Sequence, residues 1–318
     1  MTKKLVSMLV VAILLFLTVV YSATTGSIQM TFGEFIAGLF DSNNETMAVI
    51  KDLRFPRIFV AVFAGAALSV AGVLLQAIMR NPLADAGIIG ISSGAAFTKL
   101  LIVSMFPMYF FYAPIAAFIG GALACALVFG LSWKSGLNPL KLILVGIAIN
   151  AMFAGLIEAL ISFGVSNTGA TTSSLSLKTW DDVTIIATYG TIGLVLAFAL
   201  FAWCNVLVLS DKTAKSIGFN VTTARVVIAA VAVLLSSVSV VVAGVISFVG
   251  ILVPHIARRI VGHDHKYLIP FTALLGAFII LLADTLGRTI IAPMEVPAST
   301  LMAVIGGPFL IFLLRKEK

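Results

Sequence analysis

The side chains able to do chemistry in this chain are few, and most stand inside long apolar runs. His263-Asp264-His265 has the residue types of a metal site, but two histidines two apart do not share a helix face. The polar run around them reads as a solvated loop. His255 follows Pro254 at an expected helix end, where a structural or partner-contact role is favoured over ligation. Gln76, Lys99, Asn150, Glu158 and Asp284 fall within apolar segments. A polar group there is costly to hold in lipid and is a functional candidate on that ground. Asp284 and Arg288 stand four apart, so one helix face can pair them. Glu158 and Lys99 lie near the predicted outer ends of their segments. A proton relay would want a carboxylate at mid-membrane, and Glu158 and Asp284 lie too near the outer surface for that. No phosphate loop of the Gly-x-x-x-x-Gly-Lys-[Ser/Thr] kind and no His-Glu-x-x-His occurs in the sequence. The chain offers no energy source and no metal set, and it does not read as an enzyme.

Two loops carry more. Asp52-Leu53-Arg54-Phe55-Pro56-Arg57 places two arginines ahead of an apolar run. Pro56 biases Phe55 towards extended conformations and suits the start of the next helix. Arg54 and Arg57 then project near the surface, either to anchor the span at the headgroups or to pair with acids on an external partner. In the second loop, Asp211–Arg225, Ala214-Lys215-Ser216-Ile217-Gly218 reads as a short helix stopped by Gly218. Phe219-Asn220 and a second short helix follow. This is either a compact knob for a cleft on a soluble partner or an ordinary inter-helix loop.

The elements that position these groups must be built for lipid. Hydrophobic residues make up 61% of the chain and charged residues 10%, against about 25% charged in a soluble domain. The apolar runs, such as Leu5–Val20 and Val226–Val245, are continuous, so helices satisfy the backbone where alternating barrel strands would not. At about 20 residues per span, the chain holds about ten spans in a single integral domain over residues 1–318. They are expected near 5–20, 57–79, 86–106, 111–132, 139–163, 183–209, 225–244, 246–260, 268–287 and 298–314. The span at 246–260 is short and reads as tilted, broken or half-buried in protein. No clean Ala-x-Ala follows the first run, so it reads as a retained helix. Most Lys and Arg, among them Lys3, Lys4, Arg80, Lys212, Lys215, Arg225, Arg258 and Arg259, fall inside when both termini are placed in the cytoplasm. The net charge of +7 is therefore a topology signal, with no nucleic-acid partner implied. Cys125 and Cys204 read as small core residues.

Several stretches, in order, resemble the FecCD family of ABC importer permeases, which serve iron-siderophore, haem and vitamin B12 uptake. They are Leu53-Arg54-Phe55-Pro56-Arg57, Ala71-Gly72 through Gln76, Arg80-Asn81-Pro82-Leu83-Ala84-Asp85, Ile89-Gly90 with Ser93-Gly94-Ala95, and Ala214 to Gly218. The strongest runs from Phe248-Val249-Gly250 through Pro254-His255-Ile256-Ala257-Arg258. Asp264-His265, Leu282-Ala283-Asp284, Glu295-Val296-Pro297 and Ile305-Gly306-Gly307-Pro308 complete the set. The resemblance implies an all-α polytopic fold of the vitamin B12 importer permease kind, in the cytoplasmic membrane. It also implies a permease dimer (homodimer or paired homologue), two cytoplasmic ATPase subunits that supply ATP hydrolysis, and an extracellular or periplasmic substrate-binding protein or lipoprotein. Arg54, Arg57 and Arg288 match arginines that, in this family, meet acidic residues on the two lobes of the binding protein. Asp211–Arg225 matches the coupling loop that contacts the ATPase, with Asp211, Ala214, Lys215 and Phe219 on it and Gly218 at its sharp turn. His255, Arg258 and Arg259 are secondary candidates for the same cytoplasmic face. No cofactor and no iron ligand is assigned to the chain, since family members commonly leave substrate choice to the binding protein.

Asn81-Pro82-Leu83-Ala84-Asp85-Ala86 with Ile88-Ile89-Gly90, and Leu177-Lys178-Thr179-Trp180-Asp181-Asp182-Val183, look closest to haem permeases of Gram-positive iron-regulated surface systems. Haem is thus the favoured cargo, a siderophore the alternative and vitamin B12 the third. A proton-coupled secondary carrier is the reading from another class.

Overall fold

In the computed structural model, residues 2–25, 33–34, 37, 45–133, 139–164, 175–292 and 294–316 are described. Every regular element among them is helical, as expected for a backbone that must close its own hydrogen bonds in hydrocarbon. Besides a five-residue helix at Glu45–Val49, the α-helices are α1 (Thr2–Thr24), α2 (Phe55–Met79), α3 (Ile91–Met105), α4 (Ala113–Trp133), α5 (Pro139–Ser162) and α6 (Trp180–Ala199). They continue with α7 (Phe201–Leu207), α8 (Asp211–Ser216), α9 (Val221–Ala243), α10 (Val249–Val261), α11 (His265–Thr289) and α12 (Ala298–Lys316). Seven are long and apolar enough to cross a bilayer, and α3 and α12 carry shorter apolar stretches. With α10, a largely buried helix of 13 residues, these fall on the ten expected spans. The expected span at 183–209 is α6 and α7, joined through a kink at Leu200.

Local chemistry sets the ends. Thr179 and Asp182 form a reciprocal capping box at the start of α6. Ser210, Asn220 and Asp264 each accept a backbone N–H at the starts of α8, α9 and α11. Pro56 sits in the first turn of α2, where its missing N–H costs nothing. Phe55, expected to be extended, is instead helical (φ −61°, ψ −47°), because a π-helical turn over Ile50–Arg54 leads into α2 and widens the backbone ahead of the proline ring. The second short helix expected after Gly218 is absent, since Asn220 caps the long α9 directly.

α2 is the axis of the bundle and packs against α6, α9, α10 and α11. Its glycines make this possible. A Cβ on Gly65 would strike the Gly276 backbone of α11, and one on Gly72 would strike Gly250 of α10. Backbones in such contact gain dispersion where lipid offers no hydrophobic drive. Gln76, one turn below Gly72, donates to the Gly250 carbonyl at 2.8 Å. The outer surface of α1, α4 and α5 is studded with exposed Leu, Ile and Phe side chains. Such a surface suits lipid and would aggregate in water. Cys125 and Cys204 are free and buried.

Two segments break the helical pattern inside the bundle. Asn81–Gly90 runs along the middle of α5, where Cβ atoms on Gly146 and Gly90 would meet Ile89 and Asn150. Gly244–Phe248 separates α9 from α10, with Phe248 at φ +67°. Non-helical backbone at this depth persists only where protein buries it or a cavity receives it.

Candidate functional site

Three places gather polar side chains, one at each end of the bundle and one between. At one end of the bundle, Arg57 at the start of α2 lies between two carboxylates. Its Nε and Nη2 donate to Asp284 of α11 at 2.9 and 2.8 Å. Its Nη1 donates to both oxygens of Glu295 at 3.0 and 2.9 Å. Ser176 Oγ, from the segment before α6, donates to Glu295 Oε2 at 2.7 Å. Arg288 Nη2 donates to the Ser22 carbonyl and hydroxyl of α1 at 3.1 and 2.7 Å. Arg54 Nη1 donates to the Ala23 carbonyl at 2.7 Å.

The sequence therefore locates all three arginines at one end, but they do not project as free donors. Arg54 is 9% exposed, and the side chains of Arg57 and Arg288 are 11% and 8% exposed. Asp284 is 2% exposed while Glu295 is 41% exposed. One carboxylate is thus a core partner and the other a solvent-facing one. The expected Asp284–Arg288 pair exists only at 3.7 Å, because Arg57 takes the carboxylate bidentately. Burial raises the Glu295 carboxyl, and the Ser176 hydroxyl and Arg57 guanidinium more than reverse this, leaving it below its ordinary value.

At the opposite end, where α2 finishes, α8 ends as expected. Gly218 adopts φ +79°, its N–H donates to Lys215 O at 3.0 Å, and the Phe219 N–H donates to Ala214 O at 3.0 Å. Ala214 is buried, Lys215 and Gly218 are exposed, and Phe219 stacks edge-on against Trp203 at 6.0 Å. Asp211 anchors the knob. It accepts from Arg80 Nη2 at 2.5 Å and from Arg225 Nη1 and Nη2 at 3.2 and 3.0 Å. Arg80, left-handed at φ 47° where α2 ends, also donates to the Leu207 carbonyl at 2.7 Å. Desolvation pushes the Asp211 carboxyl up, but the guanidiniums of Arg225 and Arg80 hold it below the usual carboxylate range.

His255 lies within α10, not at its end, and its ring meets Phe309 of α12 edge-on at 5.6 Å. Arg258 and Arg259 occupy the last turn of the same helix, where cations complement the helix dipole. His263-Asp264-His265 forms no metal site, and no group of three potential ligands occurs among the described residues. Asp264 caps α11, and Asn205 of α7 holds both Asp264 and His265 at 2.9 and 2.7 Å. His265 is thereby buried at 4% exposure, where a solvated loop was expected.

Between the ends, a cavity of about 400 Å³ is lined by Asp85, Ser92, Ser93 and Ala96, by Asn150, Ala154 and Ile157 of α5, and by Ser247 and Phe248. Both helix breaks open onto it. A Gly-x-Ser-x-Gly motif is not expected from the sequence, yet Gly90-Ile91-Ser92-Ser93-Gly94 has that spacing of a nucleophile elbow. Here it opens a helix with no strand before it, the serine in the elbow position, Ser92, is buried at 4% exposure, and no histidine lines the cavity. A strand-borne serine with a base, the arrangement that motif requires, is absent among the described residues.

Seven helices able to cross a bilayer with shorter apolar helices beside them, a largely apolar cavity between them and a charge cluster at each end describe a polytopic membrane protein of the permease kind. The chain matches the FecCD transport family over residues 13–316 and belongs to it. The "Probable heme-iron transport system permease protein IsdF" of Staphylococcus aureus strain MSSA476 is 39% identical over 312 residues, covering 98% of this chain and 96% of that protein. Its counterpart in strain Newman gives the same figures. A solved structure of a metal-chelate type ABC transporter in an inward-facing conformation is similar at a TM-score of 0.83 and 28% identity, covering 98% of this chain and 99% of that one. PsaBC from Streptococcus pneumoniae, in complex with Fab, shares the fold at a TM-score of 0.59 and 17% identity, over 89% and 95% of the two chains.

Proposed function

We infer that this chain is the transmembrane permease subunit of a binding-protein-dependent ABC importer that carries an iron complex, haem, across the cytoplasmic membrane. The observation that carries the reading is the 39% identity to the heme-iron permease protein over nearly the full length of both chains. As one integral domain with both termini in the cytoplasm, it pairs with a second permease, two ATPase subunits and an external binding protein.

The two charge clusters support this division of labour. On the outer face, Arg54, Arg57 and Arg288 receive acids of the loaded binding protein. They are already engaged internally, so docking is an exchange in which an incoming carboxylate replaces exposed Glu295 on Arg57 while buried Asp284 stays. On the cytoplasmic face, the knob of Asp211, Ala214, Lys215, Gly218 and Phe219 enters the ATPase, with His255, Arg258 and Arg259 as secondary contacts. Arg80 ties that knob to the end of α2, so motion of the ATPase reaches the central helix. ATP hydrolysis belongs to the partner subunits.

The test is reconstitution of the permease with its ATPase and binding protein in proteoliposomes. Hemin-loaded binding protein should stimulate ATP hydrolysis, and hemin should accumulate on the ATPase side. Transport of hemin by the permease alone under a pH gradient would overturn the importer reading. Stimulation by a catecholate or hydroxamate iron complex, with none by hemin, would overturn the cargo.

A further inference from the structure

The His263-Asp264-His265 run serves neither docking nor the knob, yet Asn205 of α7 grips it with both ends of its amide. Asn205 Nδ2 donates to Asp264 Oδ1 at 2.9 Å. Its Oδ1 accepts the His265 N–H at 2.9 Å and stands 2.7 Å from His265 Nδ1. An ionised carboxylate can only accept, so Asp264 fixes which way the amide faces. The Asn205 oxygen also only accepts, so the imidazole carries its proton on Nδ1. His265 is buried, and water does not readily replace these bonds.

The joint lies where it has consequences. The kink at Leu200 sets α7 off from α6 as a separate seven-residue helix, and α7 runs on into the knob that begins at Asp211. Arg80 fastens this unit to α2 through the Leu207 carbonyl and Asp211. Asn205 fastens it to α11, at the first residue of that helix. These two helices carry Arg57 and Asp284, which are paired at 2.8 Å at the far end of the bundle. A displacement passed to α2 alone would shear that pair. Passed to both helices, it carries the pair along intact. Apolar contact is non-directional and would let α7 slide on α11, whereas hydrogen bonds fix the register. α7 reads Phe-Ala-Trp-Cys-Asn-Val-Leu, and the amide in it costs desolvation that packing alone does not call for.

We propose that Asn205 is a positioning residue for transport: it conveys movement of the knob to α11, in parallel with the Arg80 route to α2. This rests on the importer reading, in which the knob enters the ATPase, and its test separates the two.

The complex of permease, ATPase and hemin-loaded binding protein in proteoliposomes is assayed for hemin imported per ATP hydrolysed. N205D sets a second carboxylate against that of Asp264 and should lower this ratio about three- to tenfold. Assembly with the ATPase and ligand-free ATP hydrolysis should stay at parent levels. N205D/D264N exchanges the two groups: the carboxylate on α7 accepts from the new amide and from His265, and an asparagine still caps α11. It should recover most of the parent ratio. N205A removes the joint without repulsion, should also lower the ratio, and carries the test if N205D fails to assemble. T179A removes the α6 capping box and costs comparable stability away from the joint, so its ratio should equal the parent's. A parent-like ratio in both single Asn205 variants, no recovery in the exchanged pair, or an equal loss in T179A would overturn the role of Asn205 and leave the importer standing. A parent complex whose ATP hydrolysis does not respond to the loaded binding protein would instead overturn the reading on which that role rests.

Discussion

Replacing Glu295 by glutamine isolates the exchange at the outer cluster. Arg57 faces two acids of different standing, Asp284 at 2% exposure and Glu295 at 41%. Charge reversal at Arg57 is a poor probe of docking, because it would set a third carboxylate against buried Asp284 and threaten the fold. Glu295 can lose its charge without leaving a buried ion alone, since Asp284 still neutralises Arg57. The Glu295–Arg57 contact is bidentate at 3.0 and 2.9 Å, but solvent reaches it. It is therefore worth about 0.5–1 kcal/mol, not the several kcal/mol of a buried pair. An incoming carboxylate must displace that contact, so Glu295→Gln should raise binding-protein affinity by about two- to fivefold. The gain should shrink at high salt as screening weakens both the old contact and the new one. Biolayer interferometry with the permease–ATPase complex in nanodiscs and loaded binding protein in solution measures this directly. Unchanged or weakened docking, with an unchanged melting temperature, would refute displacement of Glu295.

Removing Arg57 by alanine strands Asp284 in the core and should cost about 3–5 kcal/mol, seen as lost yield and a lowered melting temperature, while Asp284→Asn should be milder. Asp211→Asn leaves the buried Arg225 guanidinium (4% exposed) without its carboxylate and should loosen the knob by about 1–3 kcal/mol, lowering stimulated ATPase activity more than ligand-free ATPase activity. Because the folded pKa of Asp211 lies below its unfolded value, that stabilisation is present at neutral pH and fades as pH falls below about 4; a melting-temperature profile of Asp211→Asn should be flatter there than the parent's. Gly72→Val has no room against Gly250 and should abolish assembly by size-exclusion chromatography, whereas Gly155→Val, with nothing within 4 Å of its Cβ position, should assemble normally.

Hydropathy located the spans because lipid leaves a backbone few options, and Gly218 marked the end of α8 because only a residue at ease with positive φ stops a helix that way. Arg54, Arg57 and Arg288 were visible as charges set at the edges of apolar runs. Their partners were not. Arg57 and Asp284 are 227 residues apart and Ser176 and Glu295 are 119 apart, and no local periodicity links such positions. Asn205, which turns His265 inward, carries no signal in its own apolar segment. The π turn before α2 was hidden for another reason: the bias Pro56 places on Phe55 is real, and the chain relieved it by widening the helix instead of ending it.

The glycine contacts of α2 have a mechanical consequence. With no side chain between them, α2, α10 and α11 touch backbone to backbone, and such joints have no slack. Arg57 at one end of α2 and Arg80 at the other are separated by about 35 Å of helix. A push delivered at the Arg80 end is therefore not absorbed by rotamer changes along the way. The three helices are joined as one stiff lever, so under the proposed arrangement a binding protein at Arg57 and an ATPase at Arg80 would hold opposite ends of the same rod.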